Sequence, residues 1–129
     1  IADDISQPIS NFSVMGGCHI FTKEVHDPER FGVVEYEDTE GSIADIIEKP
    51  SDPPSNDAVI GLYMYDNTVF DKIRSLDPSE RGELEVTDLN RMYLKEGNLT
   101  AHRIKGTWVD CGTFDSLAKA TQKFYNDKN

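Results

Sequence analysis

The chain has 129 residues, of which 24 are acidic and 13 are lysine or arginine, giving a formal net charge of -11. This length suits one small domain with a modest core, and a hydrophobic fraction of 37% with dispersed aromatic and β-branched residues sets it apart from a disordered acidic polymer. The acidic balance argues against non-specific binding to DNA or RNA, which needs a basic surface, yet leaves room for a local phosphate pocket built from Lys49, Arg81 and a bound cation. No apolar run is long enough to span a membrane, and the N-terminus lacks the basic and apolar regions of a secretory leader. The expectation is a cytoplasmic protein that engages neither membrane nor nucleic acid. Cys18 and Cys111 fit no zinc spacing, and reduced thiols are the expectation. The first residue is Ile1 rather than Met, which reads as a processed or trimmed chain.

In chain order, residues 4–14 form a weak first helix that contains Pro8 and stops at Met15-Gly16-Gly17. Cys18 to Val25 reads as a strand, and His26-Asp27-Pro28-Glu29-Arg30 as a turn. Phe31 to Tyr36 is a second strand, Asp38 to Gly41 a hairpin-like turn, and Ser42 to Glu48 the returning strand. Lys49 to Asn56 carries three prolines and is an irregular loop. Ala58 to Tyr65 is the most apolar strand and is expected at the centre of a sheet. Helices follow at Thr68–Leu76, with Asn67 as its cap, and at Thr87–Lys95, capped by Thr87 and stopped by Gly97. Leu99 to Ile104 is a strand and Phe114 to Phe124 a closing helix. This is a mixed α/β pattern without internal repeats.

Three polar clusters stand at the ends of these elements. Asp110, in Gly106-Thr107-Trp108-Val109-Asp110-Cys111-Gly112-Thr113, is an acid at a strand-to-helix corner, where open α/β sheets bind ligands. Glu48-Lys49-Pro50 ends a strand. Proline forces its predecessor to be extended, which aims Lys49 at a phosphate and Glu48 at sugar hydroxyls; a solvated strand end is the plainer alternative. In Arg81-Gly82-Glu83-Leu84-Glu85-Val86-Thr87-Asp88, Arg81 can grip a phosphate bidentately, and Asp88 suits a positive helix end. Gly32 marks either a ligand's close approach to the backbone or a bulge. His19, His26 and His102 share no metal-ligand spacing and read as structural or surface residues.

Taken in order, Asp27 to Val34, Glu48-Lys49-Pro50, Ser55 to Tyr63, Arg81 to Asp88 and Trp108 to Thr113 resemble the sugar-1-phosphate nucleotidyltransferases, specifically their C-terminal, sugar-phosphate-binding half. The resemblance covers nearly the whole chain. It implies a Rossmann-like mixed sheet flanked by helices. It also implies transfer of a nucleoside monophosphate from a nucleoside triphosphate, with dTTP expected, to a sugar-1-phosphate, with glucose-1-phosphate expected. It implies, further, a nucleotide sugar destined for polysaccharide biosynthesis. By matching position, the backbone of Gly32 and Val59 holds the sugar ring and Glu48 accepts its hydroxyls. Lys49 and Arg81 meet phosphate, and Asp110 is one of two carboxylates on Mg2+. The family's glycine-rich nucleotide loop is absent. Ile1-Ala2-Asp3-Asp4 imitates the segment carrying the other metal carboxylate, but the spacing favours a register in which Asp3 is not a ligand. The resemblance therefore implies an isolated chain without catalysis, expected to form a homo-oligomer or to pair with a missing N-terminal half. The alternative is a non-catalytic sugar-phosphate-binding or assembly module that needs a partner chain. A third, plainer alternative is an acidic α/β domain with no site.

Overall fold

The most apolar stretch of the sequence becomes the middle strand of the sheet. In the computed structural model, which describes residues 3–79 and 82–126, five strands form one mixed sheet: β1 (Cys18–Glu24), β2 (Gly32–Tyr36), β3 (Ile43–Glu48), β4 (Asp57–Tyr65) and β5 (Leu99–Arg103). Their spatial order is β3-β2-β4-β1-β5. Only β1 and β5 run parallel; β1–β4, β2–β4 and β2–β3 are antiparallel. Among the described residues four α-helices accompany the sheet: α1 (Ser6–Met15), α2 (Val69–Ser75), α3 (Val86–Lys95) and α4 (Phe114–Asn126).

Alternation along the strands sorts the apolar side chains onto two faces. On one face Cys18, Ile20, Val34, Ile46 and Val59 pack with Leu89 and Tyr93 of α3. On the other, Phe21, Ile60 and Ile104 gather Ile5, Leu62, Met64 and Trp108. Pro8 is tolerated because it falls in the first turn of α1, where its missing N–H has no partner to lose. The β1–β4 register shifts between Ile20 and Thr22, whose partners are Tyr63 and Val59. The extra residues of β4 centre on the exposed Gly61, where an added Cβ would meet nothing within 4 Å.

Two expected caps are corrected. Asn67 does not cap α2. The carboxylate of Asp66 accepts the Thr68 N–H at 3.0 Å, and the same side chain accepts the Gly17 N–H at 2.9 Å and the Tyr93 hydroxyl at 3.0 Å. One acid thus ties the start of β1, the end of β4 and α3. Nor does Thr87 cap α3. The helix begins one residue earlier, with Glu85 at the cap position, and the Thr87 hydroxyl turns to another partner, described below. The β2–β3 turn is organised by Asp38, whose Oδ1 accepts the N–H groups of Glu40, Gly41 and Ser42 at 2.9–3.0 Å. Cys18 is buried, Cys111 is exposed, and both are free thiols.

Candidate functional site

The structure sorts the residues singled out above into two groups. The first lies where β2, β3 and α3 meet. Gly32 stands directly opposite Glu48 in the β2–β3 register. Having no side chain, Gly32 lets the Glu48 carboxylate cross to α3, where Oε2 accepts the Thr87 hydroxyl at 2.6 Å. A Cβ at position 32 would sit 3.2 Å from Thr87 Oγ1 and 3.3 Å from Glu48 Oε2. Close packing by neighbouring side chains therefore accounts for this glycine. The other carboxylate oxygen, Oε1, lies 3.9 Å from Lys49 Nζ, and both side chains are open to solvent.

Lys49 departs from expectation. It precedes Pro50, yet its φ is +43° rather than extended, and it is the one non-glycine residue with positive φ among the described residues. Its N–H donates to the Phe31 carbonyl at 2.9 Å, and the following Pro50 is buried. Such backbone costs about 1–2 kcal/mol and persists only where surrounding contacts over-determine it. Val59 is a core residue on β4, paired with Thr22 of β1; what it can offer a ligand is its backbone. Arg81 lies outside the described residues.

The second group surrounds Asp110. This exposed acid lines a cavity of about 420 Å3 together with Lys23, His26, Arg30, Phe31 and Trp108. Its Oδ1 accepts the Gly112 N–H at 3.1 Å, which fixes the corner ahead of α4. The rings of Phe31 and Trp108 meet edge to face at 5.6 Å and form the apolar wall. The Arg30 guanidinium donates to Asp27 Oδ2 at 2.7 Å, and its pKa is raised chiefly by Asp27, with Asp110 contributing. Lys23 Nζ donates to the Lys105 carbonyl at 3.0 Å. The cavity is lined by three acids, Asp27, Asp110 and Asp115, and three cations, Lys23, Arg30 and Lys119, with Arg30 already paired to Asp27. Sequence reasoning passed over Lys23 and Arg30. The signal for Arg30 is its i,i+3 spacing from Asp27, which a single 3-10 turn at Pro28–Arg30 converts into an ion pair.

Glu48 and Lys49 do not line this cavity. The two groups are linked through Phe31, which lines the cavity with its side chain and holds Lys49 with its carbonyl. Asp3 is a structural residue: its Oδ2 accepts the N–H groups of Lys105 and Gly106, both at 2.8 Å, and these bonds hold its carboxyl below the usual range. Among the described residues, no three His, Cys, Asp or Glu side chains converge into a metal cage. Mg2+ does not require one, since it commonly takes one or two carboxylates, with water and substrate phosphates completing its shell. The donor chemistry of Asp110 fits that mode.

Comparison with known proteins identifies relatives of the chain. A family model described as nucleotidyl transferase matches residues 2–127. A glucose-1-phosphate thymidylyltransferase of Mycolicibacterium smegmatis is 46% identical over 115 residues, covering 88% of this chain and 40% of that protein. One from Xanthomonas campestris is 50% identical, covering 81% of this chain and 36% of that protein. A solved structure described as a glucose-1-phosphate thymidylyltransferase from Bacillus anthracis, in complex with sucrose, superposes with a TM-score of 0.85 at 44% identity, covering 95% of this chain and 49% of that one. The chain thus spans about two-fifths of the length of the curated relatives it matches. These shares measure how much of a relative is matched and do not make the chain its C-terminal half. A family match over nearly the whole chain, with relatives at 46% and 50% identity, shows that this chain belongs to the nucleotidyl transferase family.

Proposed function

We infer that the chain is the sugar-phosphate-binding part of a nucleotidyltransferase that joins glucose-1-phosphate to dTTP. A sugar-phosphate oxygen attacks the α-phosphorus of the triphosphate; the new P–O bond forms as the bond to the β-phosphate bridging oxygen breaks, and pyrophosphate leaves. No covalent intermediate on the protein is required, so the protein's task is positioning and charge stabilisation. The observation that carries this reading is the Gly32–Glu48–Thr87 junction beside Lys49, in a chain 46% identical to a glucose-1-phosphate thymidylyltransferase.

In this reading Glu48 presents Oε1 to a sugar hydroxyl while Thr87 occupies Oε2. Lys49, with its exposed ammonium, meets the sugar phosphate. The backbone of Gly32 and Val59 flanks the sugar ring, and Arg81 contacts phosphate. Asp110 would hold Mg2+, which when bound offsets the negative charge on the phosphates. The family's chemistry uses small anionic substrates, consistent with a protein at work in the cytoplasm and supplying a nucleotide sugar for polysaccharide synthesis.

Titration calorimetry of the chain with glucose-1-phosphate tests the acceptor site. Binding is expected, with loss in Lys49→Ala; no heat from the wild-type chain would sink the reading. The 129-residue chain is expected to release no pyrophosphate from dTTP, Mg2+ and glucose-1-phosphate. Turnover by the chain alone would show that it needs no further part.

A second reading, an assembly module that works with a partner chain or a second copy, is favoured by α4. Its Phe114 is 93% exposed and Leu117 49% exposed, while Ala120 on the same helix is buried. Sedimentation of the chain at several concentrations distinguishes a self-associating module from a monomer.

A further inference from the structure

The Thr87 hydroxyl has no role in the cap it was expected to form, and its actual partner is a carboxylate 39 residues away in sequence. Thr87 is 4% exposed and sits in the first turn of α3, whose Leu89 and Tyr93 are anchored in the core. It is a fixed point. Glu48 ends β3, beside a lysine with left-handed backbone, and its carboxylate reaches solvent. Unrestrained, a glutamate in that position would sample several rotamers. An ionised carboxylate only accepts hydrogen bonds, so a hydroxyl donated to Oε2 leaves Oε1 as the outward acceptor, 3.9 Å from Lys49 Nζ. Gly32 completes the device, since any side chain there would press on both partners.

We propose that Thr87 is a positioning residue that orients the Glu48 carboxylate for a sugar hydroxyl and so contributes to selection of a sugar phosphate over phosphate alone. The inference rests on the sugar-phosphate reading above. Thr87 itself does not touch the ligand; it acts by holding Glu48 in a single orientation before the ligand arrives, which lowers the ordering cost of binding. Valine has nearly the same shape as threonine but cannot donate.

The test is calorimetric titration of the chain with glucose-1-phosphate and, separately, with inorganic phosphate, for the wild type, T87V, T87S, E48Q and T87V/E48Q. T87V is expected to weaken glucose-1-phosphate binding about tenfold, the scale of one charge-assisted hydrogen bond, and to leave inorganic phosphate binding unchanged. T87S, which keeps the hydroxyl, is expected to bind as the wild type does. T87V/E48Q is expected to bind no more weakly than E48Q alone, because both changes act on one interaction. A T87V chain that binds glucose-1-phosphate like the wild type, or a double variant whose losses add, would overturn the role of Thr87. A wild-type chain that ignores glucose-1-phosphate would instead overturn the sugar-phosphate reading. Should T87V fail to fold, T87A, which also lacks the donor, takes its place, with the same expected loss and the same double variant with E48Q.

Discussion

His102 Nε2 lies 2.8 Å from His19 Nδ1, so one ring donates and the other accepts. The two imidazoles belong to the parallel strands β1 and β5, with Phe12 of α1 edge-on to His19 and Phe21 beside His102. His19 is fully buried, and its Nε2 has no partner among the described residues. Burial is the main reason that both histidines are held below the ordinary value of 6.5, and for His102 the neighbouring His19 adds to it.

Both groups have folded-state pKa values below the unfolded value, so the unfolded chain binds more protons on the acid side. Their contribution to stability is complete above about pH 6.5 and is lost as pH falls through the lower folded-state values. Urea unfolding should therefore show a lower midpoint near about pH 5.5 than near about pH 7.5. Ring-proton NMR identifies the source: both histidines should titrate below 6.5 in the folded chain. A midpoint above that value for either ring would exclude the mechanism.

Lys49 provides a test of strain. Its φ of +43° suits glycine. Lys49→Gly should raise stability by about 0.5–1 kcal/mol, somewhat less than the cost of left-handed backbone because glycine also loosens the unfolded chain. The same variant should lose affinity for glucose-1-phosphate. Chemical denaturation and calorimetry on one sample measure both; a stability loss would remove the argument that Lys49 is held against its backbone preference.

Gly32→Ala should act in the opposite sense. Its new methyl group would meet Thr87 Oγ1 at 3.2 Å and Glu48 Oε2 at 3.3 Å, and relief requires those two side chains to give way by a few tenths of an ångström. A destabilisation of about 1 kcal/mol is expected, at the low end for overpacking. Guanidinium unfolding checks it, with an unchanged m-value showing that the native state is still compact.

Arg91 and Asp45 join α3 to β3 in a two-pronged ion pair: Nε donates to Oδ1 at 2.7 Å and Nη2 to Oδ2 at 2.5 Å. Arg91 is the chief reason that the Asp45 carboxyl is held below its ordinary 3.8. Both side chains are partly exposed, so Asp45→Asn should cost about 0.5–1 kcal/mol at neutral pH. The difference from the wild type should vanish in acid, since a lowered carboxyl pKa stabilises above the unfolded value and ceases to do so as pH falls through the folded one. Unfolding curves of the two proteins that stay apart at low pH would contradict this.

Asp110 is exposed, and among the described residues its carboxylate accepts only the Gly112 N–H of a local turn. Asp110→Ala should leave stability within about 0.5 kcal/mol of the wild type. In a longer protein that carries this chain and turns over dTTP with glucose-1-phosphate, it should reduce Mg2+-dependent pyrophosphate release by about 100-fold or more, the scale on which removal of a charge-stabilising group acts. Full turnover in that variant would remove Asp110 from the metal site.

Local chemistry made much of the architecture legible. Alternation placed every strand to within a residue or two, the unbroken apolar run Ala58–Tyr65 marked the central strand, and the prolines of 50–54 marked the long loop. The cluster at Glu48 and Lys49 was visible because a strand end carries polar residues that packing does not explain, whereas Asp110, expected at a strand tip, lies in the irregular segment between β5 and α4. Strand order and side-chain partners were not visible, since they depend on contacts between distant segments. Nothing near Thr87 reveals that its hydroxyl will meet Glu48, and the rule that extends a residue before proline gives way at Lys49, where the Phe31 carbonyl and buried Pro50 impose another backbone. The sequence by itself determined the elements and the residues available for phosphate and sugar. Only the tertiary structure decided that Gly32, Glu48 and Thr87 form one junction while Asp110 faces a separate cavity with Arg30, because side-chain reach across a sheet is fixed by register and packing rather than by order along the chain.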